Sequence, residues 1–303
     1  MRKIAFVFPG QGAQHTGMGM ELYNDYDSVK EVFDTAGDHI KKLAFESPQE
    51  ELNLTINAQP TLFVADLAAL AALKEKGIEA DGLAGFSLGE LPGLVQSGLL
   101  SLEQGLDYVN LRARAMHECS LKYSGGMFAV LGLSEEAVVE LCSRIDGAHP
   151  ANFNCPNQVV VACSVEGAEE LEILVSTNGG TVMKLAASGA FHSPLMDEAR
   201  SEIEQYLEEM EFGSMSVPLY SNVTGELYDN PKELSAKQVN SPVLWQKTIE
   251  NMIRDGYNTF IEVGPGKTLT RLIKKIDKQV ETYNVYNAKT LEETASRVGG
   301  LSA

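Results

Sequence analysis

The chain is short of positive charge. Its 303 residues carry 24 Lys and Arg against 42 Asp and Glu, a formal net charge of −18. Phosphate backbones are held by clustered Lys and Arg, so a general nucleic-acid-binding surface is excluded, and an anionic membrane surface is disfavoured for the same reason. Cysteine is scarce as well. Cys119, Cys142, Cys155 and Cys163 show neither a C-x-x-C pair nor zinc-ligand spacing, which removes a structural zinc site and leaves a reducing cytoplasm as the expected setting. No uninterrupted apolar run approaches the length needed to cross a bilayer, and "MRKIAFVFPGQG" lacks the apolar length and cleavage site of a signal peptide. The lysine of a phosphate-binding G-x-x-x-x-G-K-[ST] loop is missing, and Gly10, Gly12 and Gly17 do not make G-x-G-x-x-G. Internal repeats and low-complexity segments are absent too.

What is present is an alternation of short β-branched or aromatic runs with longer segments of helical period, the pattern of an α/β sheet. "KIAFVF", "GLAGFS", "VPLYSN", "NTFIEVG" and "VETYNVY" read as strands. Helical patterns run over Asp27–Lys42, Pro60–Glu75, Leu88–Gly98, Ser101–Cys119, Met196–Met210 and Leu244–Asp255, with Ser101 and Gln104 in capping-box register. From about Ser124 to Ala187 the rhythm changes to βαββαβ, the order of a ferredoxin-like unit. The expected fold is therefore α/β: a large catalytic domain over 1–123 and 188–303, with a mostly parallel sheet in a hydrolase-like core, and an inserted ferredoxin-like α+β subdomain over 124–187.

Gly85-Phe86-Ser87-Leu88-Gly89 fits G-x-S-x-G, a strand-to-helix elbow that exposes a nucleophilic serine hydroxyl. The alternative is a helix start, with Ser87 as N-cap and Glu90 as its capping-box partner. A nucleophilic serine needs a base, and among five histidines His192 stands apart in the turn-like "ASGAFHSPLM"; a lone histidine is also commonly a surface or satisfied buried residue. Acyl transfer further needs donors aimed at an oxyanion. "FPGQGAQ" supplies a glycine-punctuated turn after the first strand, which would equally serve as an ordinary strand-to-helix turn. Arg112 projects to the margin of the apolar stripe Leu102, Leu106, Val109, Ala113 and Met116, whereas Arg114 projects to the polar side. It either snorkels and pairs structurally, or presents its planar fork to a substrate carboxylate. Lys267, Arg271, Lys274, Lys275 and Lys278 form a basic stripe: either cations at a helix C-terminus with a solvated face, or a docking surface for an acidic partner.

These pieces together resemble the malonyl-CoA:acyl-carrier-protein transacylases and the related acyltransferase domains of polyketide synthases. The matching stretches are "FPGQGAQ", "GFSLGE", "LRARAM", "GGMFAVLGL", "NFNCPNQVVV", "GAFHSPLM", "NVTGELY", "QVNSPVLWQKTIENM" and "EVGPGKTLTRLI", in family order across nearly the whole chain. The resemblance implies Ser87 as nucleophile and His192 as base, with the N–H groups of Gln11 and Leu88 as oxyanion hole. It also implies Arg112 as carboxylate clamp and Gln238 as the residue whose carbonyl orients the histidine. Phe191 is implied to crowd the substrate α-carbon, and Asn152 and Asn154 to line the site. The implied reaction takes malonyl-CoA and a phosphopantetheinylated acyl carrier protein, needs no metal or redox cofactor, and fits a cytoplasmic monomer; a stand-alone trans-acting acyltransferase of a polyketide synthase and an acyl-thioester hydrolase are the competing readings. Two positions depart from the pattern. Phe86 stands where the family usually has His, and Pro92 enters the helix early, which the first turn tolerates because its N–H groups have no intrahelical partner.

Overall fold

The computed structural model describes residues 2–299. The chain forms two compact units. The first takes the residues up to Ala113, Gly213–Tyr220 and the chain from Met252 on; the second takes Arg114–Phe212 and Ser221–Asn251.

In the first unit the strands β1 (Ile4–Phe8), β2 (Gly82–Gly85), β7 (Leu219–Tyr220), β8 (Thr259–Val263) and β9 (Glu281–Val285) make a parallel sheet of order β7-β2-β1-β8-β9. β1, β2 and β8 read as near-continuous apolar runs because both faces are covered, and Ala5 to Phe8 are all buried. Phe8 pairs with Gly85 and Val7 with Glu262, so the carboxyl ends of β1, β2 and β8 align. The loops that follow them, Pro9–Gln14, Phe86–Ser87 and Gly264–Gly266, therefore emerge side by side at the end of the sheet where open α/β folds bind ligands.

Four helices, α1 (Met20–Asp25), α2 (Asp27–Ala36), α3 (Asp38–Glu46) and α4 (Gln49–Leu52), lead into the long α5 (Thr55–Glu75), and α6 (Glu90–Gln96) and α7 (Leu102–Lys122) follow the elbow. The single helix expected over 27–42 is broken at Gly37, whose φ of 91° no helix accommodates. The apolar positions Val29, Phe33, Ile40 and Leu43 keep helical spacing across the break, which is why periodicity alone ran through it. α5 begins five residues earlier than Pro60. The proline sits inside the helix at its sixth residue, where it leaves the Ile56 carbonyl without its i+4 N–H donor. α5 is long and apolar enough to cross a bilayer by length and composition, but Asn57, Gln59 and Asp66 interrupt its apolar run and 83% of its most apolar stretch is buried in the fold. The capping box at α7 is present, with Ser101 N–H donating to Gln104 Oε1 and Gln104 N–H to Ser101 Oγ.

The second unit contains the antiparallel sheet of β3 (Gly125–Leu131), β4 (Ala148–Cys155), β5 (Gln158–Ser164) and β6 (Thr181–Lys184), in the order β4-β5-β3-β6. α8 (Glu135–Cys142) and α9 (Val165–Thr177) start at Ser134 and Ser164, whose hydroxyls accept from the N–H groups of Ala137 and Gly167. Their apolar faces, through Val138, Leu141, Leu171 and Val175, pack on Val130, Val159 and Val161. This connectivity and strand order are ferredoxin-like. α10 (Asp197–Glu209) and α11 (Pro231–Lys237) belong to the same unit, and α12 (Trp245–Arg254) follows them.

The chain closes with α13 (Thr268–Ile276) and α14 (Ala288–Val298). Of the basic stripe, Lys267 precedes α13 and Lys278 lies beyond it, and Lys274 Nζ donates to the carbonyls of Lys278 and Val280. Lys274 thus closes the turn after the helix, the structural one of the two roles open to it. The N-terminus of α13 is held by Glu262, which accepts from the N–H groups of Leu269 and Thr270 at 3.1 and 2.8 Å. Near it lies Asp66 of α5, fully buried, with no hydrogen-bond partner on either oxygen among the described residues. A Cβ on Gly264 would stand 1.9 Å from Asp66 Oδ1, so the loop after β8 has room for that carboxyl only because residue 264 is glycine. Burial, reinforced by the charge of Glu262, pushes the Asp66 carboxyl well above its usual range; burial also raises Glu262, against the pull of its N–H donors.

Candidate active site

In the first unit, Ser87 opens a single tight turn, Ser87–Gly89, between β2 and α6. Its φ is 53°, the left-handed region, which costs a non-glycine residue about 1–2 kcal/mol. Such a conformation persists only when its surroundings over-determine it. They do. Phe86 N–H donates to the Phe8 carbonyl at 2.9 Å, and Gly89 N–H to the Phe86 carbonyl at 3.0 Å. A Cβ on Gly85 would stand 2.0 Å from the Gly89 carbonyl carbon, and one on Gly89 would stand 2.1 Å from the Phe8 oxygen, so the glycines flanking the serine are demanded by backbone contact. The cap positions of the turn and of α6 are Phe86 and Gly89, which removes the reading of Ser87 as a helix N-cap. Leu88 is buried directly after it.

Gln11 lies in the loop after β1. Gly10 of that loop abuts the elbow, since a Cβ there would stand 2.3 Å from the Phe86 oxygen. Gln11 Nε2 donates to Thr55 Oγ1 at 3.0 Å. Arg112 is 1 % exposed. Its Nη1 donates to Gln59 Oε1, and its Nη2 points to Ser87 Oγ at 3.4 Å, the long end of the hydrogen-bond range. A guanidinium stays charged even when buried, so a permanent cation with a planar fork stands beside the elbow hydroxyl. The exposed Arg114 pairs instead with Glu202. Thr55 and Gln59 are the residues that sequence reading missed here. Both are fully buried polar side chains on α5, as are Thr61 and Asp66, so residue type alone gave no signal that set these two apart.

In the second unit, His192 is 3 % exposed and also adopts a left-handed backbone, φ 59°. Its N–H donates to the Val239 carbonyl at 3.0 Å, and Nδ1 stands 2.9 Å from the Gln238 carbonyl. A carbonyl only accepts, so Nδ1 carries the proton and the lone pair of the neutral ring is on Nε2. Phe191, Asn152 and Asn154 are buried in the same unit. Asn152 sits on β4 at a shift in register, where the neighbouring backbone pairs with Val243, and the Asn154 Oδ1 is buried without a partner among the described residues. Each unit therefore holds part of the expected constellation: Ser87, Leu88, Gln11 and Arg112 in one, His192, Gln238, Phe191, Asn152 and Asn154 in the other.

The family described as the acyl transferase domain matches residues 5–293. The malonyl CoA-acyl carrier protein transacylase of Bacillus subtilis (strain 168) is 38% identical over 304 residues, covering 96% of each chain. The crystal structure of malonyl CoA-acyl carrier protein transacylase from Clostridium perfringens superposes with a TM-score of 0.94 at 36% identity, covering 98% of this chain and 97% of that one. A malonyl-transacylase solved in complex with its type II polyketide acyl-carrier protein superposes with a TM-score of 0.93 at 32% identity, over 97% and 99% of the two chains. With the parallel sheet, the serine elbow and the ferredoxin-like unit all in place, the chain belongs to the acyl transferase domain family.

Proposed function

We propose that this acyltransferase moves a malonyl group from malonyl-CoA to the phosphopantetheine thiol of an acyl carrier protein through a malonyl-serine intermediate. Ser87 Oγ attacks the thioester carbonyl, and the N–H groups of Gln11 and Leu88 take the oxyanion. His192 accepts the hydroxyl proton at Nε2 and returns it to the departing CoA sulfur. In the second half, His192 takes the proton of the carrier thiol, the sulfur attacks the serine ester, and Ser87 recovers its proton. The Gln238 carbonyl at 2.9 Å holds the ring in the tautomer that both steps use. No metal or redox cofactor enters either step. Phe191 is assigned to the malonyl α-carbon, and Asn152 and Asn154 to the lining of the site.

The observation that carries this reading is the buried Arg112 guanidinium beside Ser87 Oγ. A serine hydrolase of neutral esters has no use for a fixed cation there, whereas malonyl offers a carboxylate to its fork. The names of the relatives support the same substrate and acceptor. Fatty-acid synthesis in the cytoplasm by a monomeric enzyme is the proposed setting. Assaying transfer to a fatty-acid and to a polyketide carrier protein, together with release of free malonate, tests it. Preferred transfer to the fatty-acid carrier supports the reading, preference for the other carrier moves the enzyme to polyketide synthesis, and free malonate as the main product replaces transfer by hydrolysis.

A further inference from the structure

Thr55 and Gln59 stand one turn apart at the start of α5, at the i and i+4 spacing that puts two side chains on one helix face. Both are fully buried, and both reach across to other elements: Thr55 Oγ1 accepts from Gln11 Nε2 at 3.0 Å, and Gln59 Oε1 accepts from Arg112 Nη1. Thr61, farther along the same helix, returns its hydroxyl to the carbonyls of Asn57 and Ala58, the usual recourse of a helical threonine. Resting on the roles read above for Gln11 and Arg112, we infer that the N-terminal end of α5 is a positioning element with two separable arms. Gln59 sets acyl-group selectivity by fixing the plane of the Arg112 fork, and Thr55 sets the acylation rate by anchoring the loop that carries Gln11.

The physical basis differs for the two arms. A guanidinium on a flexible stem delivers two parallel bonds to a carboxylate only when its plane is fixed, and a bond at Nη1 fixes it while leaving Nη2 directed to Ser87. The backbone of the Gln11 loop is held by Ala13 N–H to the Gly10 carbonyl at 3.3 Å and by Gly12 N–H to Gln14 Oε1 at 2.7 Å, and the bond from Gln11 Nε2 to Thr55 Oγ1 ties the loop to α5. The Thr55 tether holds it where a donor must meet a developing charge, and small misplacements there are costly.

Gln59→Leu, Thr55→Val and Thr55→Ser, with melting curves, separate the arms. Gln59→Leu should lower the ratio of kcat/KM for malonyl-CoA to that for acetyl-CoA by roughly ten- to a hundredfold. Thr55→Val should lower kcat for both substrates together and leave the ratio unchanged, and Thr55→Ser, which keeps the hydroxyl, should restore it. Should Gln59→Leu fail to fold, Gln59→Glu keeps the acceptor but competes for the guanidinium, and should raise KM for malonyl-CoA relative to acetyl-CoA. A parallel loss on both substrates in the Gln59 variants, or a changed ratio in Thr55→Val, would overturn the inference. A wild-type enzyme that forms no malonyl adduct at all would mark the failure of the underlying reading instead.

Discussion

Arg112→Ala tests what distinguishes a malonyl carrier from a general esterase. The side chain is 1 % exposed and joins Gln59 to the neighbourhood of Ser87 Oγ. Two charge-assisted hydrogen bonds to the malonyl carboxylate, at about 1.5–3 kcal/mol each, would disappear with it. At 1.36 kcal/mol per decade, malonyl kcat/KM should fall by roughly a hundred- to ten-thousandfold. Acetyl transfer should hold or rise, because the desolvated cation that faced an uncharged acyl group has gone. Removing the partner of Gln59 costs folding stability as well, about 1–3 kcal/mol, visible as a Tm lowered by several degrees. Arg112→Lys should not recover malonyl transfer, since a point charge lacks the fork. The assay is kcat/KM for malonyl-CoA and acetyl-CoA on each folded variant. Equal loss on both substrates, or an unchanged malonyl preference, would refute the assignment.

His192→Ala should slow acylation and deacylation alike, by roughly a hundred- to ten-thousandfold in single-turnover rates for each half; normal acylation with failure only toward the carrier would make His192 a docking residue. Gly89→Ala should destabilise the fold by more than the few tenths of a kcal/mol of an ordinary surface change, because its Cβ would stand 2.1 Å from the Phe8 oxygen, and a denaturant midpoint equal to wild type would contradict that contact. For Asp66, the folded carboxyl binds its proton more tightly than the unfolded chain, so its contribution to stability declines as pH rises above the model-peptide value of 3.8. Asp66→Asn removes that dependence. The Tm of the variant minus that of wild type should grow as pH rises above about 4, and parallel curves would show that Asp66 does not hold a proton in the fold.

The elbow was readable in sequence because its glycines are demanded by backbone contact at two fixed positions, and such demands are local. Helical projection put Arg112 at the edge of the apolar stripe and Arg114 outside it, as the burial of the one and the exposure of the other bear out, while the projection left a structural pairing and a carboxylate clamp both open for Arg112. The ferredoxin-like unit was legible from strands and helices that each carry their own periodicity, in the order βαββαβ. Gln59 and Thr55 were not legible, because their meaning lies in partners 53 and 44 residues away. The break at Gly37 escaped because Phe33 and Ile40 keep helical spacing across it, and the start of α5 was misplaced because Pro60 mimics a helix opening. The left-handed backbone shared by Ser87 and His192 could not be read from residue type, since only a few per cent of non-glycine residues adopt it, even though histidine is among the types enriched there.

The central claim is that Ser87 carries the malonyl group between the two thiols. The direct measurement is to treat the enzyme with malonyl-CoA, remove the CoA, locate the adduct by mass spectrometry of peptides, and then add holo acyl carrier protein. The account predicts one malonyl group on the peptide containing Ser87, its quantitative movement to the carrier thiol, and no adduct in Ser87→Ala. A malonyl group on another residue, an adduct that persists in Ser87→Ala, or transfer that requires both substrates to be present at once would contradict it.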